Sequence, residues 1–354
     1  MKTLNALLFG VVLATVATTA RAHDFSVTLG GSRLYFKVTS KAARTAEVTY
    51  KGSITSKTPC EVTGVVEIPS KVRHDSLVYT VNAIAPKAFS GATELTGIVL
   101  PSTIAKIGDF AFEGCSSLAS VVYPGKQPTL GEGVFFGCTS LRDITFGSDW
   151  TVLDLAAYRW SDSLVCIAIP AKVEKLQNMK KLRSLQSVSV DANNQHFSSY
   201  DGALYDKAAA TLYGVPRGMQ GALHVKEGTQ TIGAGALIDC PDITIIDLPS
   251  TLTSMSFRET SRMKKLEAVV LRGIKAPHTA YTADGPVFLL QVASPDVKVV
   301  TSKDAKASVA SRMATEAGDY YDNAALEGVP YDVGAGEMVT QKNIKAVKNF
   351  NDYE

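Results

Sequence analysis

Ile84, Ile107 and Leu130 lie 23 residues apart, and so do Phe89, Phe112 and Phe135, Leu95, Leu118 and Leu141, and Ile98, Val121 and Ile144. Four apolar positions recurring together at one spacing restrict the chain to an array of like units, because a fixed period of this length is the mark of a stacked solenoid. One unit cannot stand alone. It buries about five large apolar side chains at roughly 1.5–3 kcal/mol each, while ordering its backbone costs roughly 1–2 kcal/mol per residue. Stacking, which adds backbone hydrogen bonds and burial against both neighbours, makes the array stable.

Each unit has two halves. One carries Leu-x-x-Ile-x-Leu, seen at Leu95-Ile98-Leu100, Leu118-Val121-Tyr123, Leu141-Ile144-Phe146, Leu164-Ile167-Ile169, Leu185-Val188-Val190, Ile243-Ile246-Leu248 and Leu266-Val269-Leu271. This is expected to be a strand, stopped at Pro101, Pro124, Gly147, Pro170 or Pro249, where proline ends a ladder and turns the chain. The other half carries Ile-x-x-x-Ala-Phe (Ile84 to Phe89, Ile107 to Phe112) with variants Leu130 to Phe135 and Leu153 to Tyr158. A small residue beside an aromatic suits a tight helical turn in which Ala lets backbones approach and the ring fills the interior.

The period breaks in four places. Residues 23–63 lack it but alternate (Val27, Leu29, Leu34, Phe36, Val38, Val48, Tyr50), which predicts short strands forming an N-terminal β cap. A cap is needed because the first coil exposes a sheet edge. The repeats are expected to span 64–275, and within them an insertion near Val72–Tyr79 separates the first strand of repeat type, Val66 to Pro69, from Ile84. The fifth unit shortens to 21 residues, with Lys180-Lys181 at the Ala-Phe position, and residues 191–227 interrupt the array with Leu204-Tyr205 and Leu212-Tyr213 flanking a hairpin expected to bud from the stack. Beyond Ala276 the repeat is expected to stop, with a strand at Val297–Val300 and a helix from Lys303 to Ala317 in a C-terminal α/β cap and tail, 276–354.

The run Ala111-Phe112-x-Gly114-Cys115-x-x-Leu118-x-x-Val121-x-Tyr123-Pro124 resembles the BspA-type bacterial leucine-rich repeat, also called the Treponema pallidum type. The hairpin stretch Tyr200-Asp-Gly-Ala-Leu-Tyr205 through Leu212-Tyr213-Gly-Val-Pro216 is similar to an insertion seen in members. The resemblance implies a right-handed leucine-rich-repeat coil with a parallel sheet on one face and short helical turns on the other. It also implies an exported, non-catalytic protein of the kind made by gut and oral Bacteroidales, used in adhesion to host matrix, host cells or other bacteria.

Export is expected from the residues themselves. Lys2, an apolar run from Leu4 to Ala17 and Ala20-Arg21-Ala22 read as a signal peptide cleaved after Ala22, leaving the cell surface, the medium or the periplasm as destinations. No later run is long enough to cross a membrane. The formal charge of +2 includes Lys2 and Arg21, so the remainder balances at zero, which argues against nucleic acid. Five cysteines make an odd set, and Cys115, Cys138 and Cys240 sit at small apolar positions of the repeat, where reduced packing thiols are expected.

No catalytic, metal or cofactor constellation emerges. His23, His74, His196, His224 and His278 are dispersed, Asp191-Ala-Asn193-Asn194 is one short polar run, and no nucleophile elbow is present. A binding face is the better candidate. If Val121 and Tyr123 point inward, Ser120 and Val122 point out, with counterparts Gly97 and Val99, Asp143 and Thr145, Cys166 and Ala168, Ser187 and Ser189, Ile245 and Asp247, and Ala268 and Val270. These are mostly small and uncharged, so the face is either a flat docking surface or silent. Trp150, Tyr158, Arg159 and Trp160 form the one aromatic-basic cluster; Tyr158 filling the core and Trp160 covering a loop is the competing reading. The expected partner is a host or envelope protein, with a glycan bound for an envelope uptake system as the alternative.

Overall fold

The computed structural model describes residues 22–52, 57–58, 61–255 and 263–272, together with strand segments at 278–279, 281–282, 285–286, 298–301 and 329–330. The expected signal peptide up to Arg21, Cys60 and the helix expected at Lys303–Ala317 lie outside the described residues.

Two sheets run along the array. In one, Gly64–Glu67, Leu95–Val99, Ser120–Val122 and Asp143–Thr145 pair in parallel, and Gly97, Ser120 and Asp143 face one another in register. Their inward residues Ile98 and Val121 are buried, and Ile144 is partly buried. In the other, Leu77–Ile84, Lys106–Ile107 and Thr129–Leu130 are parallel. The N-terminal stretch adds Phe25–Leu29, Ser32–Ser40 and Thr45–Thr49 as an antiparallel meander whose last strand joins Leu77–Ile84 in parallel. The edge of the first coil is thereby covered by main-chain pairing. Val72 to Tyr79 forms an antiparallel hairpin, Lys71–His74 with Leu77–Ile84.

The face expected to carry helical turns is built differently. Among the described residues the helices are two short 3-10 turns, Leu155–Tyr158 and Met179–Lys181. Elsewhere the Ala-Phe segment is a tight turn, with Ala88 N–H on the Ala85 carbonyl and Ala92 N–H on the Phe89 carbonyl, and its remaining amides reach the next coil. Lys87, Phe89 and Gly91 donate to the carbonyls of Asp109, Ala111 and Glu113, and Phe110, Phe112 and Gly114 donate to those of Glu132, Val134 and Phe136. A helix would turn these donors back into its own segment, whereas the turn leaves them free to join coil to coil.

Inside, Phe89, Phe112, Phe135 and Tyr158 form one column. Successive ring centroids are 5.0, 5.4 and 5.2 Å apart and nearly parallel. Cys115 and Cys138 lie beside the column as buried thiols that donate to the carbonyls of Phe89 and Phe112.

The stretch 191–227 does not bud from the stack. Phe197–Tyr200, Ala203–Asp206 and Thr211–Gly214 form an antiparallel meander, and the last strand pairs in parallel with Thr231–Ile232. Gly221–His224 is itself a repeat strand, parallel to Ile243–Leu248. Tyr205 and Leu212 are fully buried and open a second hydrophobic core that runs to Val269. The reason lies in alternation: Tyr205 and Leu212 on facing strands turn the same face inward, so the hairpin has an apolar side that must be buried. The repeat sheet also continues past Ala276, since Lys298–Thr301 pairs with Ala268–Leu271 and Val329–Pro330 extends it.

Lys180 explains the departure at the fifth unit. Its Nζ donates to the carbonyls of Val215, Ala236 and Ile238 at 2.6, 3.1 and 2.8 Å and lies 3.4 Å from the Cys240 thiol. An ammonium stands where earlier units have Ala or Val, and it ties the fifth coil to the second core. Burial lowers its pKa, a shift opposed by Cys240.

The four described cysteines are free, and three of them are buried. A hydrogen bond with the Cys115 thiol, together with burial, holds the Cys138 thiol far above its usual range, and burial raises Cys240. Thiolate is the reactive form, so iodoacetamide on the native protein is expected to modify Cys166 and to spare Cys115, Cys138 and Cys240 until denaturant is added. Peptide mapping by mass spectrometry reads the result.

Candidate partner-binding surface

The sequence period continues unbroken from Leu141 to Leu164, but the backbone ladder does not. Thr129–Leu130 is the last strand of its sheet and Asp143–Thr145 the last of the other; Val152–Asp154 pairs with Lys175–Gln177 and Cys166–Ile169 with Ser187–Val190 in separate sheets. The turn ladder stops as well. Gly133, Phe135 and Gly137 occupy the positions of Phe110, Phe112 and Gly114, yet among the described residues their amides find no backbone acceptor.

Departures from the repeat mark the break. The position filled by Ile104 and Val173 in neighbouring units is Gln127, which is exposed, and Trp150 of the next unit fills the adjoining core instead. Trp150 is 1% exposed, packs edge-on against Tyr123 at 5.2 Å, and donates its indole N–H to the Gly125 carbonyl at 3.0 Å. Gly147 makes room for it: a Cβ there would stand 2.0 Å from the Gly125 carbonyl oxygen and 2.8 Å from the indole nitrogen. On the other face, Leu155–Tyr158 closes into a 3-10 turn capped by the Asp154 carboxylate on Ala156 N–H. The Arg159 and Ser161 amides bond the Ala156 and Tyr158 carbonyls as their counterparts do in the preceding coils, but the Leu155, Ala157 and Arg159 carbonyls, which stand where Glu132, Val134 and Phe136 accept, take no amide from the preceding turn among the described residues.

Side chains hold the two sides together. Tyr158 stacks on Phe135 and donates from its hydroxyl to that of Tyr123 at 3.1 Å, and the Ser163 hydroxyl donates to the Thr139 carbonyl. Burial holds both tyrosine hydroxyls above their usual range. A cleft of about 440 Å³ opens along the join, between residues 127–133 and Asp154, Ala156, Ala157 and Arg159. At its rim the Arg159 guanidinium lies over the Trp160 ring at 5.4 Å, and Trp160 meets Phe136 edge-on at 5.7 Å. Trp160 and Phe136 are 43% and 44% exposed.

The expected site residues separate into three groups. Arg159 and Trp160 stand together at the cleft rim. Ser120, Val122, Asp143, Thr145, Ser187 and Ser189 lie on the outer sheet face, exposed or partly exposed; the Ser187 Cβ is close to Gly202, and the Ser189 hydroxyl turns back to the Ile167 carbonyl at 3.5 Å. Trp150 and Asp247 are corrections, because both are buried. Asp247 accepts Arg272 Nε and Nη2 at 2.7 Å each and lies 3.1 Å from His224 Nδ1, a buried ion pair and not an open contact surface. Ile245, Ala268 and Val270, expected to point out, are buried too, as is Gly97.

Phe136 and the cleft were missed from sequence. The signal was present: Ser90, Glu113, Phe136 and Arg159 are equivalent positions, and a phenylalanine there is out of pattern. Asn194 serves the fold, bonding the Pro170 and Val173 carbonyls and accepting the His196 and Phe197 amides. Among the described residues no group of His, Cys, Asp and Glu could hold a metal, and no helix is long and apolar enough to cross a membrane.

The family described as the BspA type leucine rich repeat region matches residues 72–200 in six copies. Residues 72–200 are a BspA type leucine-rich repeat region. The match lies inside the 64–275 span expected from sequence and contains the whole of the broken join. Among solved structures, the chain is similar to a leucine-rich repeat protein from Bacteroides ovatus (21% identity, 79% of this chain and 71% of that chain, TM-score 0.43). It is also similar to the T. pallidum leucine rich repeat protein (20%, 66% and 87%, 0.37) and to a leucine rich cell surface protein from Faecalibacterium prausnitzii (17%, 92% and 97%, 0.35). No curated protein matches the chain.

Trp150 is a core residue by this geometry, so Trp150→Ala is expected to cost about 3–5 kcal/mol, read as a lower urea midpoint. A variant with unchanged stability would contradict its placement.

Proposed function

We propose that the protein is an exported, non-catalytic interaction solenoid that holds a protein of the host matrix, the host cell or the bacterial envelope. The observation that carries this reading is the open cluster of Phe136, Arg159 and Trp160 on a scaffold whose other large aromatics are mostly buried. Tryptophan and arginine dominate the energetic centres of protein interfaces because they combine large apolar area with directed polar contacts. The outer face bearing Ser120, Val122, Asp143 and Thr145 is flat and weakly charged, which suits a surface that excludes water around such a centre better than one that supplies the energy. Leucine-rich repeat proteins generally act by binding other proteins, which agrees with this use of the surface.

The test is capture of protein from matrix and envelope extracts by the mature chain, followed by titration of the identified partner. Trp160→Ala and Arg159→Ala are each expected to weaken binding by about tenfold or more with unchanged thermal midpoints, since neither side chain fills the core. Binding indifferent to both substitutions would contradict the proposal. Saturable binding of a glycan array, lost in Trp160→Ala, would replace the protein partner with a sugar.

A further inference from the structure

The cleft at the join between the Ile144 and Ile167 coils is lined on one side by residues 127–133, which include the strand Thr129–Leu130, and on the other by Asp154, Ala156, Ala157 and Arg159; Asp154 ends the strand Val152–Asp154, which does not pair with Thr129–Leu130. Gly133, on the wall, presents an amide with no backbone acceptor, and Gly137 follows with the same deficit one turn further along. In the two preceding coils the equivalent amides are satisfied by the next coil's carbonyls. An open parallel edge offers donors and acceptors in alternation, which is the pattern an added strand completes.

We propose that this cleft takes up an extended polypeptide segment of the partner protein, which pairs with the open edge by main-chain hydrogen bonds and lays an apolar side chain against Phe136 and Trp160. The proposal rests on the protein-binding reading above and adds the form in which the partner is recognised. Three observations favour a peptide over other ligands of this size. Glu132 and Asp154 line the same cleft as Arg159, so no net positive field gathers a phosphate or sulfate. The Trp160 ring carries a guanidinium over it and meets Phe136 edge-on, which leaves less open ring face than a sugar-stacking platform needs. The unsatisfied groups at the wall belong to the backbone, and backbone is their natural complement.

The test uses the mature chain and a random 12-residue peptide library displayed on phage. Selected peptides are synthesised with a fluorescent label and titrated against the wild type and two variants that fill the cleft from its outer wall, Gln127→Trp and Ala156→Phe. Gln127 is exposed and Ala156 partly exposed, and unchanged thermal midpoints check that the core is undisturbed. At least a tenfold loss of affinity is expected in both variants, together with slowed exchange of the Gly133 amide in the complex. Methylating alternate peptide nitrogens is expected to abolish binding in one phase of the alternation and to leave it in the other.

Peptides that bind equally well to the filled variants, or a library that yields no binder, would overturn the proposal. A captured partner protein sensitive to Trp160→Ala but indifferent to both filled variants would overturn it while leaving the interaction function standing. Glycan binding abolished by Gln127→Trp would assign the cleft to sugar and overturn it as well.

Discussion

The column of Phe89, Phe112, Phe135 and Tyr158 runs on through the array where the backbone ladder stops. Within the first three coils it is redundant, since turn and strand amides already join each coil to the next. Between Phe135 and Tyr158 it becomes the main connection. At this join side chains take over from the missing turn and strand bonds: the stacked ring pair, worth about 0.5–1.5 kcal/mol beyond its burial, and the hydrogen bonds of the tyrosine hydroxyl pair, the Trp150 indole and Ser163. The join holds from the inside, and the backbone at its surface stays open.

The same logic operates with different chemistry at the fifth coil. There Lys180 replaces a small apolar residue and reaches three carbonyls at once. Its charge is buried at a cost that lowers its pKa, yet each bond is charge-assisted and stronger than the amide bond it stands in for. In both places the array departs from repetition and supplies a side chain where the ladder fails. The lysine closes its junction. The aromatic column leaves its own junction accessible, and Arg159, Trp160 and Phe136 gather there.

Much of this was legible in the residues. The period alone implied the stack, the inward strand positions and the reduced thiols, because each follows from packing at fixed spacing. Register alone does not reveal whether two adjacent strands bond, so the broken ladder was not legible, although Gln127 at an apolar position and Phe136 at a polar one marked its place. Alternation identified outward positions correctly at Ser120, Asp143 and Thr145, and it failed at Ile245, Asp247 and Ala268, where the sheet face is covered. Trp150 and Trp160 are ten residues apart and similar in neighbourhood; only the three-dimensional path separates the buried ring from the exposed one. The hairpin misled for the same reason, since Tyr205 and Leu212 have an apolar face that a protruding loop could not satisfy.

Amide hydrogen exchange of the protein, resolved by residue, tests the central claim that the ladder is broken while the repeat runs on. Phe110 and Gly133 are equivalent positions of similar exposure, as are Gly114 and Gly137, and only the first of each pair has a backbone acceptor. Gly133 and Gly137 are expected to exchange at least about a hundredfold faster than Phe110 and Gly114, because they need no opening of the stack to meet water. Equal protection across the two pairs would mean that the coils are joined by backbone throughout, and the account of this join would be wrong.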